Sequence, residues 1–113
     1  MTDPNCLFCQ IVAGAIPASI LRADDDTLVF ADINPQAPTH VLVIPKQHVR
    51  DIGELGADPG VAAAVIAAIG AYAAENRLTD YRTVFNTGAG VGQSVFHAHA
   101  HVLAGRPMQW PPG

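Results

Sequence analysis

Residues 97–103 read His97-Ala98-His99-Ala100-His101-Val102-Leu103, and this stretch decides how the 113-residue chain is interpreted. The three histidines stand at positions i, i+2 and i+4, and successive side chains of a β-strand point to opposite faces of a sheet. We therefore predict a strand over residues 95–104 whose three imidazoles share one face. A solvent-exposed histidine-rich strand, or an incidental metal clip, is the alternative interpretation.

Short apolar runs on either side of this stretch predict the other strands of a sheet. Runs of β-branched and aromatic residues that are bounded by turn residues are typical of strands. These runs lie at residues 19–21, 27–31, 40–44 and 82–86. Three aspartates at 24–26 predict a hairpin turn between the first two runs. Most of the connections are short, which favours antiparallel pairing.

Two helices are predicted beside the sheet. The alanine-rich segment 59–76 predicts one long helix, and residues 6–13 predict a short one, capped by Asn5 and ended by Gly14. The core-facing stripe of the long helix is expected to consist of Val61, Val65, Ile66 and Ile69. Together the elements predict an α+β fold in a single domain over residues 1–113: an antiparallel meander sheet with one short N-terminal helix and one long helix packed on it.

The composition restricts the class of protein. Half of the residues are hydrophobic and 14% are charged, which is too apolar for a disordered chain. A net charge of −4 offers no general basic surface, so we expect no nucleic-acid partner. The longest apolar stretch, residues 61–74, is shorter than the roughly 20 residues that cross a bilayer, and the first ten residues lack a signal-peptide pattern. We expect no membrane partner and a cytoplasmic location.

The middle histidine of the run is a candidate nucleophile. Neutral imidazole attacks phosphorus well near pH 7, because its unperturbed pKa is about 6.5. The glycine-rich segment 87–92 precedes the histidines and can hold an anion on its backbone N–H groups. His99 is therefore expected to react with a phosphate-bearing ligand.

Several segments together resemble the histidine-triad superfamily. Besides the triad itself, the similar segments are 32–40, 43–48, 92–97 and the closing Trp110-Pro111-Pro112-Gly113. The closing segment is similar to the end of the Hint branch, and the resemblance extends from Phe8 to Gly113. It implies a homodimer that binds purine nucleoside 5′-monophosphates and hydrolyses nucleoside phosphoramidates.

The resemblance also implies roles for four catalytic residues. His99 would attack the α-phosphorus and form a nucleotidyl-histidine intermediate, which water then cleaves. His101 and His40 would hydrogen-bond the phosphate, and Ser94 would assist departure of the amine. The implied reaction is cleavage of a P–N bond, of the adenosine 5′-monophosphoramidase type. The alternatives are hydrolysis of dinucleoside polyphosphates, as in the Fhit branch, and a nucleotide-binding or scaffolding module with weak turnover.

A larger set of positions is implied to bind the nucleotide. They are Phe8, Ile11, Phe30, Asp32, Ile33, Asn86, Gly92, Gln93, Ser94, Val95, His99 and His101. Asp32 would hold the ribose hydroxyls, and the apolar residues would line the base pocket. On the residues alone, Asp32 can equally start a turn before Asn34, and the apolar residues can equally belong to the core.

The two cysteines suggest a metal site. Cys6 and Cys9 form a CxxC motif at the start of the predicted short helix, and tetrahedral zinc would need two further ligands, for which His48 and His97 are the candidates. Some bacterial histidine-triad proteins and the related hexose-1-phosphate uridylyltransferases resemble this arrangement, which implies a structural zinc and makes His97 a ligand. No organic cofactor is implied. The alternatives are two buried, reduced thiols or a thioredoxin-like redox pair.

Overall fold

The computed structural model describes residues 2–113, which form a five-stranded sheet and three α-helices. The strands are β1 (Ile20–Ala23), β2 (Thr27–Ala31), β3 (Thr39–Pro45), β4 (Tyr81–Val84) and β5 (Ala100–Ala104). The helices are α1 (Leu7–Val12), α2 (Ile52–Gly56) and α3 (Pro59–Glu75). The predicted α+β class is confirmed.

All neighbouring strands are antiparallel, and their order across the sheet is β1-β2-β3-β5-β4. The first three strands form the predicted meander. β5 then lies between β3 and β4, because α2 and α3 carry the chain away from β3 before it returns at the sheet edge as β4. β5 is consequently a central strand, with Val102 paired to Val41 on one side and to Thr83 on the other.

The sheet is covered on both faces, by α3 on one and by α1 on the other. Along β3, Val41 and Val43 belong to the core that includes α3, whereas Leu42 and Ile44 belong to the core that includes α1. Full burial of such a side chain contributes about 1.5–3 kcal/mol to the stability of the fold. The same alternation along β5 places His101 on the α1 face.

Strand β5 begins at Ala100, so the prediction of a strand over 95–104 is wrong in its first half. The ladder with β3 ends there, because the amide of Ala98 donates instead to the carbonyl of Val49 (2.7 Å). The first two histidines of the run therefore precede the strand, and only the third lies in it.

Helix α1 is capped by Cys6 and not by Asn5, the predicted cap, so it begins at Leu7. The Sγ of Cys6 accepts a hydrogen bond from the backbone N–H of Cys9 (3.4 Å). Gly14 follows the helix with a φ of +76°, as expected of the glycine that ends a helix in the left-handed region.

Helix α3 ends one residue before the predicted boundary, and Asp58 caps its start. Ile66 is 67% exposed and does not belong to the core stripe, in which Ala68 is buried instead. The sequence pattern does not predict α2, because two of its five residues are glycines. Within residues 2–113, no helix is long and apolar enough to cross a membrane.

Candidate functional site

A cavity of about 580 Å³ lies on the α1 face of the sheet. Its volume is in the range of about 300–1,000 Å³ that is usual for small-molecule sites. The polar side chains of the lining include Asp32, Ser94, His99 and His101. The apolar part of the lining includes Leu7, Phe8, Ile11, Phe30, Leu42 and Val95. The cavity therefore combines an apolar wall with a small group of polar residues.

His99 presents a buried imidazole to this cavity. Its Nδ1 lies 2.8 Å from the carbonyl oxygen of His97. Because a carbonyl only accepts, Nδ1 carries the proton and Nε2 keeps a free lone pair. The ring of Phe8 packs edge-on against the imidazole, with 5.1 Å between ring centroids. Burial lowers the pKa of His99 below its usual value, although the hydrogen bond to His97 opposes this, so the ring is neutral near pH 7.

His101 is joined to His40 by a hydrogen bond of 2.9 Å between Nδ1 of His101 and Nε2 of His40. The direction of this bond follows from Gln36, whose backbone N–H donates to Nδ1 of His40 (2.9 Å). Since Nδ1 of His40 accepts, its Nε2 carries the proton and donates it to His101, which is then protonated at Nε2. Burial lowers the pKa of His101, and the nearby His99 and His40 add to this effect. His101 thus offers an N–H where His99 offers a lone pair.

Asp32 lines the cavity beside this histidine pair. Its Oδ2 lies 3.3 Å from Nε2 of His40 and 3.9 Å from Nδ1 of His101, and its Oδ1 accepts from the amide of Asn34 (2.8 Å). Asp32 therefore both starts a turn and faces the cavity. The ligand atoms of Asp32, His40 and His101 are close enough together to hold a metal ion. A proton rather than a lone pair occupies Nε2 of His40, however, so hydrogen bonds account for this cluster.

A second cluster brings together the four predicted metal ligands, Cys6, Cys9, His48 and His97, with their ligand atoms within 4.8 Å of one another. The Sγ of Cys9 lies 3.4 Å from Nδ1 of His48 and 3.5 Å from Nδ1 of His97, and the two nitrogens are 3.3 Å apart. Tetrahedral bonds of about 2.3 Å to sulfur and about 2.05 Å to nitrogen give edges of about 3.5 Å (N to S) and about 3.3 Å (N to N). The cluster fits a zinc ion in distance and in chemistry.

The surroundings of His97 suit a metal ligand. Its ring is fully buried, and its Nε2–H donates to the carbonyl of Pro45 (2.7 Å), which leaves the lone pair on Nδ1, facing the cysteines. Burial lowers the pKa of His97 to about 4, so the ring is neutral at pH 7. Burial also raises the pKa of the Cys9 thiol, so a bound metal ion would have to displace its proton.

Most of the predicted nucleotide-binding residues line the cavity. They are Phe8, Ile11, Phe30, Asp32, Ile33, Ser94, Val95, His99 and His101. Ile33 lies at the rim with its side chain wholly exposed. Leu42 and the segment 16–19 also contribute to the lining but are not predicted from the sequence. Leu42 could have been found, because it lies two residues after His40 and therefore on the same face of β3.

Asn86, Gly92 and Gln93 lie outside the cavity lining. The side chain of Gln93 is buried and accepts from the amide of Gly88 (2.9 Å) while it donates to the carbonyl of Arg50 (2.8 Å). Gln93 therefore holds the glycine-rich loop together through its side chain.

Comparisons with known proteins converge on one family. A model described as the HIT domain matches residues 13–108. The chain is 45% identical over 111 residues to an uncharacterised HIT-like protein of Synechococcus elongatus, covering 96% of this chain and 97% of that protein. It is 40% identical over 124 residues to a 14 kDa zinc-binding protein of Zea mays, covering all of this chain and 91% of that protein.

Solved structures agree with the sequence relatives. A crystal structure of a HIT family hydrolase from Legionella pneumophila has a TM-score of 0.91 at 46% identity and covers 96% of this chain and all of that one. A histidine triad protein from Clostridium difficile has a TM-score of 0.90 at 35% identity, covering 96% of this chain and 97% of that one. The likeness therefore includes both the fold and nearly the whole sequence.

Proposed function

Because the chain belongs to the HIT domain family, we propose that it is a purine nucleoside 5′-monophosphate-binding hydrolase that cleaves the P–N bond of nucleoside phosphoramidates. One observation carries the proposal. His99 and His101 line the same cavity with opposite ring chemistry, a free lone pair on Nε2 of His99 and an N–H on Nε2 of His101. A nucleophile beside a hydrogen-bond donor is what attack on a phosphoryl group requires.

The proposed nucleotide occupies the cavity with its base against the apolar wall. Phe8, Ile11 and Phe30 would contact the faces of the purine, and Ile33 would cover it at the rim. The Oδ2 of Asp32 would accept hydrogen bonds from the ribose hydroxyls. Asn86 would act from the glycine-rich side through its side-chain amide, with Ser94 and Val95 at the wall. The backbone N–H groups of Gly92 and Gln93 already donate to the carbonyls of Ala89 and Gly88, so these two residues would act by shaping the loop.

The proposed reaction proceeds in two displacements. Nε2 of His99 attacks the α-phosphorus, a P–N bond to the ring forms, and the P–N bond to the substrate amine breaks. The amine leaves with a proton that the exposed Ser94 passes to it from solvent. Water then attacks phosphorus and returns a proton to solvent, the bond to His99 breaks, and the products are the nucleoside monophosphate and the free amine. His101, held by His40, would donate its Nε2–H to a phosphate oxygen in both steps.

We also propose that Cys6, Cys9, His48 and His97 hold a structural zinc. The tetrahedral distances and the buried, neutral His97 support this, as does the zinc-binding relative from Zea mays. Zinc there would connect α1 to the segment that precedes β5 and would leave His97 without a direct part in catalysis. Zinc measured by elemental analysis at about one ion per chain, in protein purified without added metal, is the expected result. Absence of zinc with both thiols titratable would support buried, reduced cysteines.

We further propose that the protein is a homodimer. Glu75 is the one charged residue in α3, and a helix that is apolar on all sides is normally covered on all sides. The residues on the outward face of α3 are Ala63, Ile66, Ala67, Gly70 and Ala74, all exposed in one copy of the chain. β4 is also an edge strand, which offers its free edge to a second copy.

The cytoplasmic location stays a prediction.

The nucleophile assignment is tested by replacing His99. We expect His99→Ala and His99→Gly to abolish release of AMP from a tryptamine-type adenosine phosphoramidate, because no other ring nitrogen in the site has a free lone pair facing the substrate. Binding of AMP, measured by calorimetry, should persist and is the control for folding. Wild-type protein incubated with labelled substrate and quenched with base should carry label on histidine, because a P–N bond to imidazole survives alkali but breaks in acid. The variants should carry none.

Three outcomes would contradict parts of the proposal. Undiminished turnover by the His99 variants would reject the nucleophile. Much faster cleavage of diadenosine polyphosphate than of the phosphoramidate would reject the P–N specificity, which is supported by the similarity of residues 110–113 to the Hint branch. Binding of AMP without turnover of either substrate would indicate a nucleotide-binding module.

A further inference from the structure

The loop between β2 and β3, residues 32–38, is held by the chain that follows β5. Nε of Arg106 donates to the carbonyl oxygen of Gln36 (2.9 Å). The backbone N–H of the same Gln36 donates to Nδ1 of His40 (2.9 Å). One loop residue is thus bound through its carbonyl to an arginine and through its amide to a histidine of the site.

Close packing anchors the same loop at its end. A Cβ on Gly105 would lie 2.8 Å from Cβ of Pro38, and the φ of Gly105 is +97°, so both contact and backbone conformation require glycine. The side-chain Nε2 of Gln36 also donates to the carbonyl of Asn34 (3.1 Å). Two of the anchors, Gly105 and Arg106, directly follow the strand that carries His101.

We propose that Arg106 is a positioning residue, which acts through the backbone of Gln36 on the tautomers of His40 and His101. While the backbone N–H of Gln36 donates to Nδ1 of His40, His40 is protonated at Nε2 and donates to Nδ1 of His101. The proton of His101 is then at Nε2, where it can form a hydrogen bond to a phosphate oxygen. If the backbone N–H of Gln36 moves away, His40 can carry its proton on Nδ1, and His101 then loses its hydrogen-bond donor. The effect on turnover rests on the proposed function, whereas the effect on the tautomers does not.

The partners of Arg106 are backbone carbonyls, as is the partner of Arg82, the carbonyl of Gln109. Arg22 and Arg50 form ion pairs with carboxylates. Within residues 2–113, Arg106 has no carboxylate within ion-pair distance, and its Nε and one terminal nitrogen donate to the carbonyls of Gln36 and Pro107. A guanidinium can hold two carbonyls at once because its donors are fixed in one plane, whereas a lysine has a single nitrogen.

The tautomers can be observed directly in the whole protein. In the wild type, ¹⁵N chemical shifts of the assigned ring nitrogens should report the Nε2–H form of His40 and of His101. Arg106→Met should introduce an Nδ1–H fraction at His40, and Arg106→Lys should restore the wild-type form in part. Arg77→Met removes the same charge from an exposed arginine outside the loop and is the matched control, with wild-type spectra expected.

Kinetics with an adenosine phosphoramidate provide the second measurement. Loss of one hydrogen bond that orients the site should lower kcat by about threefold to tenfold in Arg106→Met. KM should change by less than about twofold, because Arg106 does not line the cavity. Unchanged ring-nitrogen spectra in Arg106→Met, or an equal loss of kcat in Arg77→Met, would overturn the inference. A wild-type protein that turns over no phosphoramidate would contradict the proposed function, and the spectra would still decide the role of Arg106.

Discussion

His99 and His101 are separated by a single residue, yet their rings present opposite chemistry to the cavity. Nδ1 of His99 donates to the carbonyl of His97, and Nδ1 of His101 accepts from His40. The partner of His99 is a carbonyl, which only accepts, so Nε2 of His99 carries a lone pair. The partner of His101 is an imidazole N–H, which donates, so Nε2 of His101 carries the proton. Two histidines so close in the chain can therefore serve in different roles, one as the nucleophile and the other as a hydrogen-bond donor to phosphate.

The lowered pKa of His99 predicts the pH dependence of turnover. Only the neutral ring is a nucleophile, and burial, opposed in part by the hydrogen bond to His97, lowers the pKa of His99 below 6.5. Burial lowers the pKa of His101 in the same direction. Both rings should therefore still be neutral when the pH has fallen to 6.5, and kcat/KM for a phosphoramidate should decline only below pH 6.5. A pH–rate profile measures this midpoint, which reports the free enzyme.

Phe8 offers a test of the physical cause. Its ring packs 5.1 Å from that of His99, so Phe8→Leu should admit water and move the midpoint toward 6.5. Phe85 packs in the core on the other face of the sheet, and Phe85→Leu is the matched control, with no shift expected. An acid limb at or above pH 6.5 in the wild type, or an equal shift in both variants, would show that burial by Phe8 does not set the pKa.

At the scale of elements, helix α1 depends on its side-chain contacts for stability. It has six residues, whereas isolated helices shorter than about 12–15 residues are marginal in water. Cys6 caps it and Cys9 lies within it, so both ends of the CxxC motif join the helix to His48 and His97. The same helix places Phe8 and Ile11 in the cavity wall. The cluster of cysteines and histidines and the cavity therefore share one short helix.

Removal of the proposed zinc should consequently weaken binding of AMP as well as the fold. We expect chelation, or Cys9→Ser, to lower Tm by roughly 10 °C or more and the affinity for AMP by about tenfold, because α1 loses its connection to the sheet. Calorimetry of unfolding and of AMP binding measures both effects. Chelator added to the Cys9→Ser protein is the control and should have no further effect. An AMP affinity that does not change on chelation would show that α1 is held without the metal.

For the whole molecule, the uncovered apolar face of α3 predicts association. The exposed residues Ile66 and Ala67 lie on a helix whose opposite face is buried in the core. Gly70, one turn further along the same face, has open space above it that a second helix could fill. A charge on this face would be desolvated in a dimer and freely hydrated in a monomer. The proposed homodimer is thus testable without disturbing the core.

Ala67→Glu should convert the protein from a dimer to a monomer. Sedimentation equilibrium should give twice the chain mass for the wild type and the chain mass for the variant, with the fold preserved because Ala67 is exposed in one copy. Ala57→Glu introduces the same charge at an exposed position before α3 and should stay dimeric. A monomeric wild type, or a dimeric Ala67→Glu protein, would contradict the proposed interface.

The local patterns of the sequence predict much of the fold. Runs at 27–31 and 40–44 become β2 and the body of β3, because strands buried on both faces need continuous apolar residues. The long helix follows from its alanine content. The boundary of β5 could not be predicted, since it depends on the amide of Ala98 bonding to Val49, a residue distant in the chain.

The histidine run, the CxxC motif and their chemistry were determined by the sequence alone. The resemblance also grouped His97 with the cysteines before the structure did. Only the tertiary structure decided that His101 is hydrogen-bonded to His40. It also decided which nitrogen of each ring carries the proton. The physical reason is that an imidazole takes its tautomer from the atom it bonds, and these atoms, the carbonyl of Pro45 and the amide of Gln36 among them, reach the site from other segments of the fold.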